Sequence, residues 1–194
     1  MSVKSKTEVG EQENVVNDLD DGVDLGKLAA LKSKNQAKEG NMAAKIVGKK
    51  ERTFDCGAIG LGHAGSKLAQ VFYESGYKAI CVNTASQDLK NISIPDSNKL
   101  LLDQGIGGAS KERSIGAAAA ETYKDTFLEL FREKLGDCQI NVVCSSLGGG
   151  SGSGALPVVL ESLQGEGKPT VVIAILPMSS EDPQTKHNAL DGLA

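Results

Sequence analysis

From about residue 53 onwards, short runs of apolar residues alternate with segments in which apolar residues recur at helical spacing. The runs have the length of strands, and the segments between them have the length of helices. Strands that alternate with helices in this way are typical of a parallel sheet, because parallel neighbours need a crossover connection. The pattern therefore predicts an α/β domain with a Rossmann-like, mostly parallel sheet.

The same pattern gives approximate bounds for the individual elements. Strands are predicted at 54–59, 78–83, 99–102, 139–145 and 169–176, and helices at 64–75, 111–134 and 152–163, with a further helix beginning beyond Pro183. The runs at 140–144 and 171–176 are almost continuously apolar, which is typical of central parallel strands covered on both faces. We therefore expect a doubly wound sheet, with helices on both sides.

Residues 1–50 have a different character from the rest of the chain. They are polar and mixed in charge, with aspartates between 18 and 24 followed by lysines between 27 and 38. Such a segment buries too little apolar surface to offset the entropy lost on ordering it. We predict a disordered tail over 1–50 and a folded domain over 51–194. Leucines spaced by three from Leu25 to Leu31 leave open a short helix that docks a partner.

Composition narrows the classes of function. A net charge of -4 and an absence of Trp give neither a basic stripe nor much material for base stacking, so nucleic acid is not expected as a direct partner. No apolar stretch reaches the roughly 18 residues of a membrane span, and no secretory leader is recognisable. The four cysteines lack the spacing of metal ligands and suit reduced, buried thiols. We expect a cytoplasmic protein whose own side chains form no metal site.

Three glycine-rich loops each follow a predicted strand and precede a helix, which is where backbone N–H groups can bind an anion. The first loop has a G-x-G-x-x-G match at Gly60, Gly62 and Gly65. This spacing alone would fit an NAD(P)-dependent Rossmann oxidoreductase. In such enzymes a carboxylate at the end of the second strand holds the ribose, whereas here that strand ends at Asn83. The missing carboxylate argues against NAD and leaves the oxidoreductase as an alternative.

The second and third loops each have a simpler interpretation. Residues 105–110 could close on a terminal phosphate, or they could be a mobile turn. Residues 148–154, with the sequence GGGSGSG, could be a flexible linker. A linker would be flanked by domain ends, but this loop lies between an apolar strand and an apolar helix. We therefore interpret it as a phosphate-binding loop, in which the Ser151 and Ser153 hydroxyls could each donate to a phosphate oxygen.

A GGGSGSG loop after a central strand resembles the signature of the tubulin/FtsZ superfamily. The order of the other segments agrees with the resemblance. Residues 82–89 are similar to the family's loop after the second strand, and 105–109 followed by 116–118 to its γ-phosphate loop and the next helix. Leu176 and Pro177, followed by Glu181, are similar to its ribose-contacting loop. The resemblance covers roughly residues 53–194.

The resemblance implies a site for GTP or GDP, with Mg²⁺ bound through the phosphates. The residues implied around the α- and β-phosphates are Gly62, His63, Ala64, Gly148, Gly149, Gly150, Ser151, Gly152 and Ser153. Gly107, Gly108 and Ala109 would sense the γ-phosphate, Glu181 would lie near the ribose, and Asn83 stands where a ribose carboxylate would. The family has no phosphate-binding lysine of the P-loop kind, and Lys67, one turn into the first helix, is expected to be solvated.

The resemblance also sets expectations for activity. It implies a cytoskeletal protein that self-associates into filaments and hydrolyses GTP at the interface between subunits. In the family, the base-clamping residues and the acidic residues that activate water lie beyond the position of Ala194, so no catalytic residue is assigned and the chain is expected to be an N-terminal part that is inactive alone. Ala85 and Thr185 depart from the family's usual aspartate and arginine, which suggests a divergent, plasmid- or phage-type member. A non-hydrolysing, nucleotide-binding regulator of filaments is a further alternative.

Overall fold

The computed structural model describes residues 54–105 and 107–193. The predicted tail over 1–50 and the docking helix within it lie outside these residues. The strands are β1 (Cys56–Leu61), β2 (Lys78–Asn83), β3 (Lys99–Leu101), β4 (Ile140–Ser146) and β5 (Thr170–Ile175). The helices are α1 (Gly62–Glu74), α2 (Ser86–Lys90), α3 (Arg113–Thr122), α4 (Lys124–Leu135), α5 (Ser151–Gln164) and α6 (Pro183–Leu193). Within this part of the chain, no helix combines the length and apolar character needed to cross a bilayer.

The five strands form one sheet in the order β3-β2-β1-β4-β5, and every pair is parallel. Gly60 in β1 is in register with Cys81 in β2 and with Cys144 in β4, so β1 lies at the centre. Parallel neighbours require crossovers, which the intervening helices supply. The predicted parallel α/β sheet is confirmed.

The two faces of the sheet are covered by different helices. Successive strand residues point to opposite faces, so Ala58 and Ile59 in β1 belong to different layers. Ala58 packs in a cluster with Ala69 of α1 and Leu89 of α2. Ile59 packs in the larger cluster formed with α3, α4 and α5, in which Phe131 is completely buried. The doubly wound arrangement is therefore confirmed.

All four cysteines are buried, as expected for small hydrophobic side chains. Three of them lie on neighbouring strands β1, β2 and β4. Burial, which disfavours the thiolate, raises the pKa of Cys81 to about 11 and that of Cys144 to about 12. Buried thiols with raised pKa values pack as small hydrophobic side chains and are poor nucleophiles.

The single helix predicted at 111–134 is wrong in two respects. It is divided at Tyr123, whose φ of -104° and ψ of 16° leave the helical range. The Tyr123 hydroxyl donates to the Asp103 carbonyl at 3.2 Å. The apolar spacing continues across the break because α3 and α4 pack in the same cluster, which hides the division from a periodicity argument. The helix also begins at Arg113 and not at 111, since Ser110 and Lys111 have positive φ values.

The expectation that residues 171–176 form a central strand covered on both faces is wrong for the described residues. Strand β5 is the edge of the sheet, and Val171 and Val172 are 53% and 39% exposed. Its apolar composition therefore does not reflect burial within this part of the chain. The short helix α2 and a 3₁₀ turn at Asp96–Asn98 were not predicted, because segments of five and three residues carry too little periodicity.

Candidate functional site

The candidate site lies where β1 and β4 reach the carboxyl edge of the sheet side by side. The helices that follow them, α1 and α5, pack on opposite faces, so the loops diverge and leave a crevice. Such a switch point is where ligands bind in open α/β sheets. The crevice holds a cavity of about 260 Å³ lined by Leu61, Gly62, His63, Ala64, Asp88, Ser110, Lys111, Ser146, Gly149, Gly150, Ser151 and Gly152.

A second cavity of about 590 Å³ adjoins the first. The two share His63, Ala64, Lys111, Ser146 and Gly149. The second cavity extends toward β5 and α6, and its other lining residues are Gly148, Ile175, Leu176, Pro177, Glu181 and Thr185. Together the cavities form one elongated site, with a glycine-lined end and an end lined by larger side chains. The first, second and third loops of the sequence all contribute to it.

Two helices begin in the glycine-lined end of the site. Helix α1 starts at Gly62 and α5 starts at Ser151, and neither has a side-chain cap or an acidic residue in its first turn. The first N–H groups of a helix have no partner within the helix and carry a partial positive charge. Two uncapped N-termini at one cavity are suited to bind an anion, and the crevice between them offers room for more than one phosphate group.

The loops meet backbone to backbone, which requires glycine at the contacts. Gly62 has a φ of +68°, and a Cβ there would lie 2.9 Å from the Gly152 nitrogen. A Cβ on Gly150 would lie 2.7 Å from the Glu112 nitrogen, at the end of the second loop. Contacts this short exclude any side chain at either position. The glycines therefore bring the three loops together and keep the cavity open.

The two serines of the third loop have different environments. Ser151 lines the first cavity, and its hydroxyl lies 2.5 Å from that of Thr84, at the end of β2. Ser153 is completely buried, lines neither cavity, and donates its hydroxyl to the Gly149 carbonyl. The expectation that both hydroxyls face a phosphate is therefore corrected for Ser153. A serine within a helix commonly bonds the carbonyl four residues back, which explains the difference.

Asp88, His63 and Asn83 form a polar network beside the first cavity. The His63 Nδ1 lies 3.2 Å from Asp88 Oδ1, and the Asn83 Nδ2 donates to Asp88 Oδ2 at 3.1 Å. His63 and Asp88 line the cavity, whereas Asn83 is 1% exposed and lies behind them. The predicted residue Asn83 thus orients a carboxylate and does not itself face the cavity. Asp88, which faces it, was not among the predicted site residues.

In the second loop, the residues facing the cavity are not those predicted. Gly107 and Gly108 have φ values of 72° and 147°, and Ala109 is 2% exposed, but none of the three lines either cavity. Ser110 and Lys111 line the first cavity instead. Both have positive φ, at 43° and 66°, which side-chain-bearing residues rarely adopt. A lysine directly after a glycine-rich loop is the sequence signal that would have identified the position.

Helix α6 ties the second and third loops together. Asn188 is 2% exposed, and its Nδ2 donates to the Lys111 carbonyl at 2.8 Å and to the Gly148 carbonyl at 3.1 Å. The Lys111 Nζ lies 2.5 Å from Asp182 Oδ2. Asp182 also accepts hydrogen bonds from the Thr185 hydroxyl and amide. The hydrogen bond from the Lys111 ammonium, together with the two from Thr185, holds the pKa of Asp182 well below its usual range.

Two further sequence expectations concern residues at the margins of the site. Glu181 lines the second cavity, and its Oε1 accepts from the Met178 amide at 3.0 Å. Lys67 lines neither cavity, and its Nζ donates to the Asn91 carbonyl at 3.0 Å on an exposed surface. Across the described residues, no group of three or more His, Cys, Asp or Glu side chains is placed to hold a metal ion.

Comparisons with known proteins agree with this geometry. A sequence profile described as the tubulin/FtsZ family GTPase domain matches residues 32–194. The chain belongs to the tubulin/FtsZ family. It is similar to the cell division protein FtsZ of Aquifex aeolicus (strain VF5), with 31% identity over 70% of this chain and 37% of the relative. Against FtsZ 1 of Pyrococcus abyssi (strain GE5 / Orsay), identity is 36% over 70% of this chain and 36% of the relative.

Solved structures give the same result. The GTPγS-bound protofilament of CetZ2 from Haloferax volcanii matches with 29% identity and a TM-score of 0.67, over 72% of this chain and 45% of that one. The GDP-bound monomer of CetZ1 from the same organism matches with a TM-score of 0.68 and 29% identity, over 72% of this chain and 46% of that one. The chain thus spans less than half the length of these relatives. A plasmid or phage origin stays a prediction.

The family match removes the ground for the oxidoreductase alternative. The G-x-G-x-x-G spacing has another explanation in the structure, since a Cβ on Gly60 would lie 2.6 Å from the Ser66 Cα. The glycine therefore lets α1 approach β1 closely. This packing role accounts for the motif without a dinucleotide.

Proposed function

We propose that the site binds GTP and GDP, with the phosphates at the N-termini of α1 and α5. The observation that carries this proposal is that two uncapped helix N-termini share one glycine-lined cavity in a tubulin/FtsZ-family domain. Backbone amides from residues 62–64 and 149–152 would bind the phosphate oxygens, and the Ser151 hydroxyl would donate to one of them. The CetZ relatives, solved with GTPγS and with GDP, support the choice of nucleotide.

The rest of the nucleotide would occupy the second cavity. Its walls include Pro177, Leu176 and Glu181, which offer an apolar surface and one carboxylate. A carboxylate can accept hydrogen bonds from ribose hydroxyls, so Glu181 suits the sugar. The two adjoining cavities run from the glycine loops toward β5, which supports a proposal with the phosphates at the glycine-lined end and the sugar beyond them.

Mg²⁺ fits this site through the phosphates and one carboxylate. Asp88 is the acidic residue among the described residues that line the first cavity, and Asn83 and His63 hold its two oxygens. Mg²⁺ keeps several waters and is commonly bound by one or two carboxylates plus phosphate oxygens. Bound there, the ion would neutralise phosphate charge, and Asp88 would contact it directly or through water.

We further propose that the chain is the nucleotide-binding part of a longer cytoplasmic protein, with a domain over 51–194 that self-associates into filaments. The CetZ2 protofilament and the limited share of each relative that the chain spans support this. GTP hydrolysis needs a positioned water-activating group. Among the described residues, the acidic side chains that line the two cavities are Asp88 and Glu181, and both have other proposed roles, at the metal and at the sugar. Hydrolysis is therefore assigned to the assembled longer protein.

Isothermal titration of the 194-residue chain with GTP, GDP and GMP in Mg²⁺ tests the binding proposal. We expect GTP and GDP to bind more tightly than GMP, because the helix N-termini contact the β-phosphate, and NADH not to compete. Equal binding of GMP and GTP, or no binding of either, would contradict the proposal. Sedimentation and phosphate release measured on the longer protein with GTP and Mg²⁺ test assembly: nucleotide binding without polymer or release there would support the non-hydrolysing regulator.

A further inference from the structure

We propose that Lys111 is a phosphate-binding lysine of this site, whose ammonium leaves Asp182 to bind the terminal phosphate of the nucleotide. This inference rests on the proposed nucleotide function and adds a cationic residue to a site otherwise built from backbone amides. It was not expected from the family resemblance, which implies no phosphate-binding lysine. The step is an exchange of one anionic partner for another and involves no covalent chemistry.

The position of Lys111 is the first reason for the assignment. It lines both cavities, and among the described residues that line them it is the only lysine or arginine. A nucleoside triphosphate carries several negative charges, and only part of that charge is neutralised by helix dipoles and one Mg²⁺. A cation at the junction of the two cavities would face this excess charge.

The backbone of Lys111 is fixed while its side chain is exposed. Asn188, which is buried, holds the Lys111 carbonyl at 2.8 Å, and the residue keeps a positive φ of 66°. Backbone conformations of this kind persist where the surroundings impose them, and they are often found at ligand sites. The side chain beyond this anchor is 54% exposed and therefore has room to change its direction. The Lys111 backbone is therefore held in place, while its ammonium group has room to move.

The Lys111 ammonium can leave its present partner, Asp182, at little cost in stability. The side chains of Lys111 and Asp182 are 54% and 44% exposed, and ion pairs between exposed groups contribute little to stability. Asp182 keeps two other hydrogen bonds, from the Thr185 amide at 3.0 Å and the Thr185 hydroxyl at 2.8 Å. Departure of Lys111 therefore leaves no carboxylate without a donor. A phosphate carrying more charge would compete effectively for the lysine.

The alternative is that Lys111 only ties the second loop to α6 through Asp182. The two roles predict opposite effects for Asp182→Asn. If the pair is a tie, its loss loosens the loop and weakens nucleotide binding. If Asp182 competes with phosphate for the lysine, its loss frees the ammonium, and binding becomes tighter.

The experiment is titration of the 194-residue chain with GTP, GDP and GMP in Mg²⁺, for the wild type and three variants. Lys111→Ala is expected to weaken GTP about tenfold or more, since a charged hydrogen bond is lost, and to change GMP less than about twofold. Asp182→Asn is expected to tighten GTP severalfold. Lys90→Ala removes the same charge from an exposed position outside both cavities and should leave all three affinities unchanged.

The outcomes separate this inference from the proposed function. If the wild type does not bind GTP, the proposed nucleotide site fails. If it binds GTP, but Lys111→Ala binds equally well or loses GMP and GTP affinity to the same extent, the nucleotide site stands and the role of Lys111 is refuted. Weaker GTP binding by Asp182→Asn also refutes the exchange, because it identifies the ion pair as a tie.

Discussion

Strands β4 and β5 are both largely apolar in sequence, with four apolar residues of seven in β4 and five of six in β5, yet they have very different surroundings. In β4, five consecutive residues from Asn141 to Ser145 are buried, whereas in β5 no residue is. Strand β4 lies between β1 and β5 and is covered by α1 and α5 on its two faces, while β5 has one neighbour among the described strands. The contrast shows that apolar character identifies a strand but does not tell how well it is covered. The glycine-lined end of the candidate site lies at the end of the covered strand, and β5 contributes Ile175 to the second cavity.

The largest effect is expected where α1 meets β4. A Cβ on Gly65 would lie 2.2 Å from the Cys144 carbonyl oxygen, so Gly65→Ala forces the helix away from the strand. We expect a loss of about 3 kcal/mol in the free energy of unfolding, although Gly→Ala within a helix ordinarily stabilises by about 1 kcal/mol. Urea denaturation measures the change.

Gly165→Ala at the end of α5 is the matched control for this substitution. Gly165 has a φ of -64°, and its Cβ would come no closer than 3.6 Å to a neighbouring atom. We expect its stability to stay within about 0.5 kcal/mol of the wild type. If Gly65→Ala unfolds at the same urea concentration as this control, the close contact between α1 and β4 is not what keeps β4 covered.

The second effect concerns the bonds that Asn188 of α6 makes with the second and third loops. Asn188→Asp replaces a donor with a carboxylate that faces the Lys111 and Gly148 carbonyls at 2.8 and 3.1 Å. We expect a loss of about 2–3 kcal/mol at pH 7, from the buried unsatisfied acceptors. The loss should shrink as the pH falls below the raised pKa of the new carboxyl, because its protonated form can donate again.

Denaturation at pH 7 and pH 4.5 measures both parts of this prediction. Asn91→Asp, which places the same change on an exposed residue, is the control and should be almost neutral. An Asn188→Asp protein as stable as that control at pH 7 would show that the loops do not depend on α6.

A smaller effect separates binding from folding. Gly149 lines both cavities, and a Cβ there would have no atom within 4 Å. Gly149→Ala should therefore change stability by less than about 0.5 kcal/mol, yet weaken GTP about tenfold by occupying space that a phosphate needs. Urea denaturation measures the stability, and titration of the same preparation with GTP measures the affinity. Unchanged GTP affinity would place the phosphates elsewhere.

The sequence predicted the covered part of the molecule better than the exposed part. The glycine-rich segments at the ends of β1 and β4 could be recognised because their signal is local: glycines recur where each strand passes into a helix. The position of β5 could not, since exposure depends on what packs against a strand. For the same reason the site residues Asp88 and Lys111 were missed. Their contribution comes from the way Asn83 and Asn188, distant from each other in the sequence, hold them at the cavity.

The errors within the site have a similar origin. Ser151 and Ser153 are equivalent in the sequence motif, but the helix that begins at Ser151 turns the second hydroxyl back toward the Gly149 carbonyl. Likewise, Gly107 and Gly108 are the residues that a glycine motif highlights, while the loop's positive φ values continue to Ser110 and Lys111. A motif gives the place of a loop, and the backbone path decides which side chains face the ligand.

The smallest effect is expected on β5 and tests the opening contrast directly. Val143 in β4 is completely buried and in register with Val172, while Val171 is 53% exposed. Val143→Thr buries a hydroxyl and should cost about 1–3 kcal/mol, whereas Val171→Thr should cost less than about 0.5 kcal/mol, because water can solvate the new hydroxyl. Urea denaturation of the two variants gives both numbers. Equal losses of stability would mean that β5 is covered in solution, by a second copy of the chain or by residues outside those described. If the loss for Val171→Thr changes with protein concentration, the cover is a second copy.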